Sequence, residues 1–457
     1  MQTKMKLCNS LVLFAALCST SHAFTIPTKP NLSARSAVDI SLASATTSAS
    51  NYLSSIPLGP PDAILGIAAD FRECTSPDKV NVCVGAYRDE NGKPWVLPSV
   101  KEAESLMMKD PSQNKEYAPI TGDLAFVDLA LKFAYGSEIF ENSSERIAGV
   151  QALSGTGACR VGGAFLSKFL GEGTKIYVPD PTWGNHIGIF NSVGLDVQKY
   201  RYFSRSTNGL DFEGMKEDLI NAPAGSVVLL HACAHNPTGC DPCHEQWKEL
   251  STLIKEKDLH VFFDSAYQGF ASGDAEADAF ALRYFVNEGH NVLLAQSFAK
   301  NFGLYGERCG TLSFLCGNSD EKAAVMSQLK LIIRAMYSSP PIHGASIVKT
   351  VLSDDDLSKQ YYEECAFMAD RIGSMRKLLV QKLAEKGSTH DWSHITDQIG
   401  MFAFTGMSKE MCDELTEKYF IFLTKDGRIS LAGLNEGNVE YVAGAVHAVT
   451  DGKSLTQ

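Results

Sequence analysis

The chain has 457 residues, of which 44% are hydrophobic and 21% are charged, the balance of an ordinary soluble globular protein. Because single hydrophobic cores stop growing at about 250 to 300 residues, this length predicts two domains rather than one. The formal net charge is −12, so the surface repels phosphate backbones and anionic lipid. Neither nucleic acid nor a membrane surface is expected as a partner.

The first fifty residues differ in composition from the rest of the chain. Lys4 and Lys6 precede an apolar run over residues 11–17, and small polar residues follow up to Ala23, an order typical of a secretory signal peptide. The run is too short to span a bilayer. Residues 24–50 are rich in Ser, Thr and Ala and almost free of acidic residues, as transit peptides are. We predict a removable targeting leader, with a signal peptide over residues 1–23 and a transit-like segment over residues 24–50.

This combination resembles the bipartite presequences of algae with secondary plastids, and it implies import into the plastid (chloroplast) stroma. A plain secretory signal or a disordered tail is an alternative interpretation. Mitochondrial import is a further alternative, although mitochondrial leaders are usually rich in arginine and amphipathic.

The body of the chain alternates short apolar runs with helical patterns. Runs rich in Val, Ile, Leu and Phe, as expected of strands buried on both faces, cover residues 175–178, 226–230, 260–263 and 292–295. They predict a mostly parallel α/β sheet, in which ligands bind beyond the carboxyl ends of the strands. The segments that follow the runs, residues 181–183, 234–239, 264–267 and 297–300, are therefore expected to face one crevice.

The stretch Ser-Gly-Thr-Gly-Ala at residues 154–158 precedes a helical pattern over residues 159–169. A glycine-rich turn that leads into a helix presents free backbone N–H groups and the positive end of the helix dipole to an anion. The hydroxyls of Ser154 and Thr156 would add donors. The stretch is a candidate phosphate site, although such turns also serve only as helix caps. No Lys-Ser or Lys-Thr pair completes a nucleotide-binding loop, which disfavours a nucleoside triphosphate.

Lys300 and Asp264 each follow a predicted buried strand. Desolvation lowers the pKa of a lysine and makes a neutral amine available, and a buried carboxylate needs a cationic partner. Each residue also has a simpler interpretation, because Lys300 could be a surface residue with a covered stem and Asp264 could cap a helix. Together, however, an amine, a carboxylate and a phosphate cup are the groups that pyridoxal phosphate requires.

These residues lie in longer stretches that resemble the aspartate aminotransferase family, a class I pyridoxal-phosphate-dependent aminotransferase family. The stretches run in order over essentially the whole body: residues 70–98, 117–122, 154–158, 181–186, 231–239, 263–270, 297–310, 334–344 and 428–434. The resemblance implies the PLP-transferase fold type I, with a mostly parallel central sheet in a large domain plus a smaller α+β domain. It places the N-terminal arm and the first part of the small domain at residues 51–94, the large cofactor-binding domain at 95–366, and the rest of the small domain at 367–457.

The resemblance also implies a role for each cofactor-binding residue. Lys300 would bind the cofactor covalently and move a proton at the substrate α-carbon, while Asp264 pairs with the ring nitrogen. Tyr267 and Asn236 would hydrogen-bond the phenolic oxygen, and Trp183 would stack on the ring instead of serving only as core packing. The implied phosphate cup consists of Ser154, Gly155, Thr156, Ser297 and Arg308, with Tyr117 reaching in from the neighbouring subunit. His186 and His231 would support Asp264 from behind.

Two arginines are implied to select the substrate, because a guanidinium binds a carboxylate through two parallel hydrogen bonds that a lysine cannot reproduce. Arg428, helped by the backbone at Gly85, would take the α-carboxylate, and Arg334 would take the distal carboxylate across a homodimer interface. Trp183 and Asn236 would also border the substrate. A surface ion pair is the alternative for either arginine.

The implied reaction converts L-aspartate and 2-oxoglutarate into oxaloacetate and L-glutamate in a homodimer with shared active sites. An aromatic or broad-specificity aminotransferase of the same family is the alternative. A cofactor-binding protein without turnover is disfavoured, because Lys300, Asp264, Tyr267 and Arg428 are all present.

Two features lie outside this scheme. Ser339 stands before the paired prolines where many relatives have asparagine, and Ile342 and His343 follow them, which leaves fine substrate preference open. Cys240 and Cys243 frame an Asp-Pro pair just after the Asn236 turn. A turn that opens a helix is the simpler interpretation and a thiol redox switch is the alternative. No metal site is expected, since the cysteines show no zinc-module spacing.

Overall fold

The computed structural model describes residues 52–60 and 64–455. The predicted leader, residues 1–50, lies outside the described residues. The described residues from Pro60 onward form one compact unit, and the short 3-10 helix Tyr52–Ser55 belongs to a separate one. In the described part of the chain, none of the helices has the length and apolarity needed to traverse a bilayer.

The strands are short and lie mainly between residues 147 and 315. In chain order they are β1 (Val80–Asn81), β2 (Ile147–Leu153), β3 (Lys175–Asp180), β4 (Asp196–Arg201), β5 (Phe203–Ser204), β6 (Gly209–Leu210), β7 (Val227–His231), β8 (His260–Ser265), β9 (Val292–Ser297), β10 (Cys309–Leu315), β11 (Phe402–Phe404), β12 (Ile421–Phe422) and β13 (Arg428–Ser430).

Helices separate and surround these strands. They are α1 (Leu65–Glu73), α2 (Pro98–Lys109), α3 (Leu124–Tyr135), α4 (Ser137–Ser143), α5 (Ser154–Leu170), α6 (Asn185–Asn191), α7 (Phe212–Ile220), α8 (His244–Glu256), α9 (Ala275–Asp278), α10 (Phe280–Asn287), α11 (Ser319–Met336), α12 (His343–Ser353), α13 (Asp355–Glu385), α14 (Ser393–Asp397), α15 (Lys409–Tyr419) and α16 (Val439–Thr450). Two further 3-10 helices cover Ser144–Arg146 and Leu431–Gly433.

A seven-stranded sheet in the order β2-β10-β9-β8-β7-β3-β4 forms the centre of the molecule. The pairs from β9 through β8, β7 and β3 to β4 are parallel. Only β10 runs against its neighbours, pairing antiparallel with β2 and β9. The prediction of a mostly parallel sheet is confirmed. The predicted strands agree with β3, β7, β8 and β9 to within two residues at each end.

Both faces of the sheet are covered at β7, which explains why this strand is a continuous apolar run. In β7 the side chains of Val228 and Leu230 enter one core cluster, while Val227 and Leu229 enter the other. Because each fully buried Val, Leu or Phe contributes about 1.5–3 kcal/mol, these strands are fixed in the middle of the molecule. The polar residues that follow them are thereby delivered to one edge of the sheet.

The helical prediction after β2 was wrong at its beginning. We expected a turn at residues 154–158 and a helix from residue 159, but α5 begins at Ser154, directly after β2. The low helix propensity of Gly155 and Gly157 obscured this in the sequence. Close packing accounts for Gly157, where a Cβ would lie 2.6 Å from Cβ of Leu153, and for Gly162 further along α5, where a Cβ would lie 2.8 Å from Cζ of Phe262. The glycine-rich stretch is therefore the first turn of the helix.

Candidate active site

A cavity with an empty volume of about 500 Å³ lies beyond the carboxyl ends of the central strands. Each of the four predicted segments contributes to its lining, through Trp183, Asn236, Asp264 and Lys300 respectively. The convergence expected from the parallel sheet is confirmed. Residues more than a hundred positions apart thus meet around one cavity.

Asp264, near the end of β8, is held by a chain of histidine contacts. Its Oδ2 lies 3.1 Å from Nε2 of His186, and Nδ1 of His186 lies 2.9 Å from the hydroxyl of Thr182. The His231 ring lies 5.3 Å behind that of His186. Burial alone would raise the pKa of the Asp264 carboxyl, but the His186 hydrogen bond and the nearby His186, His231 and Lys300 charges outweigh it and lower the pKa. Asp264 is therefore an anion at neutral pH.

Lys300 follows β9 and lines the same cavity as Asp264. Burial lowers the pKa of its amine, although the Asp264 charge acts in the opposite direction. The Nζ atom lies 5.7 Å from the centroid of the buried Tyr267 ring. Burial also raises the pKa of Tyr267, so its phenol keeps the proton and can donate a hydrogen bond. The site therefore combines the Lys300 amine, which loses its proton more readily than an exposed lysine, with the Tyr267 hydroxyl, which stays protonated and can donate a hydrogen bond.

The beginning of α5 presents unpaired donors to the cavity. No side chain caps this helix, and Ser154, Gly155 and Thr156 all line the cavity. The Ser154 hydroxyl lies 2.8 Å from that of Ser297. Uncapped N–H groups and hydroxyls at a helix N-terminus form an anion site.

Arg308 supplies a cation at the rim of this anion site. Its side chain is exposed, lines the cavity and donates to the carbonyl of Tyr305 at 3.0 Å. Both Arg308 and Ser154 have left-handed backbone, with φ of 52° and 58°. Non-glycine residues in this region are uncommon and cluster at functional sites. The strained positions thus coincide with the groups that would bind an anion.

Arg428, at the start of β13, is almost fully buried next to the cavity. Its Nη1 donates to Oδ1 of Asn236 at 3.3 Å and its Nη2 to the carbonyl of Cys83 at 3.0 Å. Its Nε is buried and has no partner within the described part of the chain. A guanidinium without a carboxylate partner in such a setting is suited to receive the carboxylate of a ligand.

Phe402 is the platform on which Arg428 lies. The guanidinium carbon is 4.2 Å from the centroid of the Phe402 ring, a cation–π contact. Gly85 packs against the other edge of this ring, because a Cβ at Gly85 would be 2.6 Å from Cζ of Phe402. Any larger residue at position 85 would displace the platform. The backbone at Gly85 is therefore fixed near Arg428.

Four predicted residues do not line the cavity of the described chain, namely Gly85, Arg428, Tyr117 and Arg334. The last two are also exposed. Tyr117 is 84% exposed. Arg334 is exposed near the end of α11, where its Nη1 donates to the hydroxyl of Ser338. His343, one of the residues that differ from the usual family pattern, begins α12, and its Nε2 lies 3.3 Å from Oε1 of Glu104. Exposure of both Tyr117 and Arg334 leaves them accessible to a second subunit.

Sequence reasoning missed several residues of this site. Cys233 and Ala266 also line the cavity. The Cys159 thiol, one nitrogen of His186 and an oxygen of Asp264 lie within 4.8 Å of one another. Burial raises the pKa of the Cys159 thiol well above its usual value. Cys233 could have been found, since it lies within the conspicuous segment that carries Asn236, whereas nothing in the sequence pointed to Cys159.

Comparison with known proteins shows the family of the chain. The family profile of aminotransferase class I and II matches residues 77–446. The chain belongs to this family. A mitochondrial aspartate aminotransferase of Dictyostelium discoideum is 53% identical over 400 residues, which cover 88% of this chain and 93% of that protein.

The fold of this class I and II aminotransferase is also similar to those of solved structures. Aspartate aminotransferase from Saccharomyces cerevisiae cytoplasm is 43% identical with a TM-score of 0.85, over 87% of this chain and 98% of that one. An aromatic-amino-acid aminotransferase from Burkholderia pseudomallei, solved covalently bound to pyridoxal phosphate, is 40% identical with a TM-score of 0.84, over 87% and 99% of the two chains. The expected PLP-transferase fold is confirmed.

Proposed function

We propose that this protein is a pyridoxal-phosphate-dependent aspartate aminotransferase that converts L-aspartate and 2-oxoglutarate into oxaloacetate and L-glutamate, reversibly. The observation that carries the proposal is that Lys300, Asp264 and Asn236 line one cavity and that the buried Arg428 donates a hydrogen bond to Asn236. An amine, an anion and a buried cation in this arrangement match the needs of a transaminase. The names of the relatives support the same activity.

The residues of the cavity fit the cofactor. Asp264, an anion by virtue of His186, would hold the pyridine nitrogen protonated. The uncapped start of α5, with Ser154, Gly155, Thr156, Ser297 and Arg308, would hold the phosphate. Trp183 would lie on the ring, and Tyr267 and Asn236 would donate to the phenolic oxygen. When bound, pyridoxal phosphate supplies an electron-withdrawing ring that stabilises negative charge at the substrate α-carbon.

Lys300 would act twice, first as the amine that binds the cofactor covalently and then as the base and acid at the substrate α-carbon. Its lowered pKa makes the neutral amine more accessible than in an exposed lysine, because burial penalises the ammonium form. The charge of Asp264 limits this lowering of the pKa, so the amine can also take up a proton and then act as an acid. Both forms are needed if one residue removes a proton and gives it back.

Arg428 would bind the α-carboxylate of either substrate, since its Nε is unpaired and its fork is oriented by Asn236, Cys83 and Phe402. The family acts on amino and oxo acids and is dimeric. We propose a homodimer in which Arg334 binds the distal carboxylate and Tyr117 the phosphate, each in the partner's site. A monomer would then be inactive.

An aromatic or broad-specificity aminotransferase is the second candidate, supported by the likeness to the Burkholderia pseudomallei protein. A single titration separates the two and also tests the cofactor. Purified protein should be yellow, and L-aspartate should abolish its visible absorbance at lower concentration than L-tyrosine does. Arg334→Leu should weaken the response to aspartate and spare that to tyrosine. Colourless protein would refute the cofactor, and preference for tyrosine would favour the second candidate.

The proposal includes the domain boundaries. They are an N-terminal arm with the first part of the small domain at residues 51–94, a large domain at 95–366 and the rest of the small domain at 367–457. The proposal also includes import into the plastid stroma by residues 1–50. The mitochondrial name of the Dictyostelium discoideum relative makes mitochondrial import the alternative. A fluorescent fusion of residues 1–50, expressed in an alga with secondary plastids, should label plastids. Label in mitochondria or in secretory vesicles would overturn the plastid assignment.

A further inference from the structure

The segment of residues 240–243, noted in the sequence for its two cysteines, contacts the active site through its acidic residue. Oδ2 of Asp241 accepts a hydrogen bond from the backbone N–H of Ala234 at 2.6 Å, and Oδ1 accepts one from His235 at 2.9 Å. Both donors lie immediately before Asn236. One carboxylate therefore satisfies two consecutive N–H groups of the turn that carries Asn236.

The turn needs such an acceptor because of its conformation. Ala234 has left-handed backbone, with φ of 48°, a conformation that non-glycine residues rarely adopt. Ala234 and His235 are both buried, and buried N–H groups without acceptors are strongly disfavoured. Burial raises the pKa of Asp241 to about 6, while the two N–H donors lower it. At about pH 8 the group is ionised and both oxygens accept.

The far side of the turn is packed tightly. A Cβ at Gly400 would lie 2.5 Å from Cβ of Ala234, and the N–H of Ile399 donates to the carbonyl of Gly239 at 2.8 Å. The turn thus lies between the Asp241 carboxylate and residues 399–400. Asn236, at its centre, accepts from Arg428. Any shift of the turn would move Asn236 relative to both Arg428 and the cavity.

We propose that Asp241 is a positioning residue for transamination, which holds the Asn236 turn so that the Asn236 amide faces the phenolic oxygen of the cofactor while its carbonyl oxygen orients Arg428. This inference rests on the proposed function. It assigns the 240–243 segment a role that depends on the acid between the cysteines and needs neither thiol.

The test uses the loaded enzyme with Asp241→Asn, which keeps the size of the side chain but places an amide donor against a backbone N–H. A hydrogen bond to the phenolic oxygen stabilises its anionic form, so losing it should move the pH midpoint of the cofactor's visible absorbance change upward. The kcat/KM for aspartate should fall by about tenfold to a hundredfold, as small misplacements do. Cys243→Ser, in the same segment, should change neither quantity.

A double variant distinguishes positioning from a general structural role. If Asp241 acts through Asn236, Asn236→Ala with Asp241→Asn should have the absorbance midpoint of Asn236→Ala alone. Asp241→Glu keeps two acceptor oxygens, so its absorbance midpoint should lie between those of wild type and Asp241→Asn. This variant replaces Asp241→Asn in the test if the amide variant folds poorly. An unchanged midpoint in Asp241→Asn, or fully additive shifts in the double variant, would overturn the proposal. Wild type that takes up no cofactor would refute the proposed function and this inference with it.

Discussion

Replacing Arg428 by lysine tests the assignment of substrate recognition. The guanidinium is 4% exposed, it is oriented by Asn236 and Cys83, and its Nε is unpaired. Lysine keeps the charge but provides a single point donor, so one of two charge-assisted hydrogen bonds to the α-carboxylate is lost. Such a bond is worth about 1.5–3 kcal/mol, which corresponds to a fall in kcat/KM of roughly 10- to 150-fold.

Steady-state kinetics with L-aspartate and L-tyrosine measure this loss. Both amino acids carry the α-carboxylate, so kcat/KM should fall for both. Arg205→Lys is the matched control, because exposed Arg205 also lies over a phenylalanine ring, that of Phe404. It should leave both values unchanged. Activity of Arg428→Lys within a factor of about two of wild type, or a fall restricted to aspartate, would refute the reasoning.

Three further predictions concern the phosphate site and stability. Arg308→Gln should raise the Kd for pyridoxal phosphate by about 10- to 100-fold, measured by equilibrium dialysis, and leave the weak binding of phosphate-free pyridoxal unchanged; equal effects on both would contradict a phosphate contact. A Cβ at Gly310 would lie 2.3 Å from the Gln296 carbonyl oxygen and 2.9 Å from Cα of Ser154. Gly310→Ala should therefore lower the free energy of unfolding, measured in urea, by about 1–3 kcal/mol and weaken cofactor binding. Gly306→Ala is the control and should do neither, because no described atom lies within 4 Å of its added carbon. Burial, with the nearby His186 charge, lowers the pKa of His231 to about 3. Below about pH 6.5 the unfolded chain therefore binds a proton that the folded chain does not, so the free energy of unfolding decreases as the pH is lowered. Between pH 6.5 and 5 the His231→Gln variant should lose about 2 kcal/mol less of this free energy than wild type does. The same dependence on pH in both proteins would contradict the burial argument.

The strands of the sheet were predictable because burial on both faces leaves a continuous apolar run. Each of β3, β7, β8 and β9 is such a run, and the polar residues after them indicated the cavity. The beginning of α5 was not predictable in the same way. Glycines disfavour helix locally, and only the structure shows that a Cβ at Gly157 would lie 2.6 Å from Cβ of Leu153.

Contacts between distant segments were beyond the sequence. Phe402 lies under Arg428, and Arg376 donates to the carbonyls of Ile395, Gly400 and Phe402. Such bonds from a side chain to a remote backbone leave no periodicity and no composition bias. Asp241 is the clearest case, since the sequence suggested a helix-opening turn or a thiol switch for this segment and no role for the carboxylate that makes the contact.

The role of Lys300 as the amine that binds the cofactor is the central claim, and chemical trapping tests it most directly. Loaded protein is reduced with borohydride to fix the bond between amine and cofactor, then digested and analysed by mass spectrometry. We expect a phosphopyridoxyl group on the peptide containing Lys300 and no trapping in Lys300→Ala. Stoichiometric modification of another lysine, with Lys300 unmodified, would contradict the account.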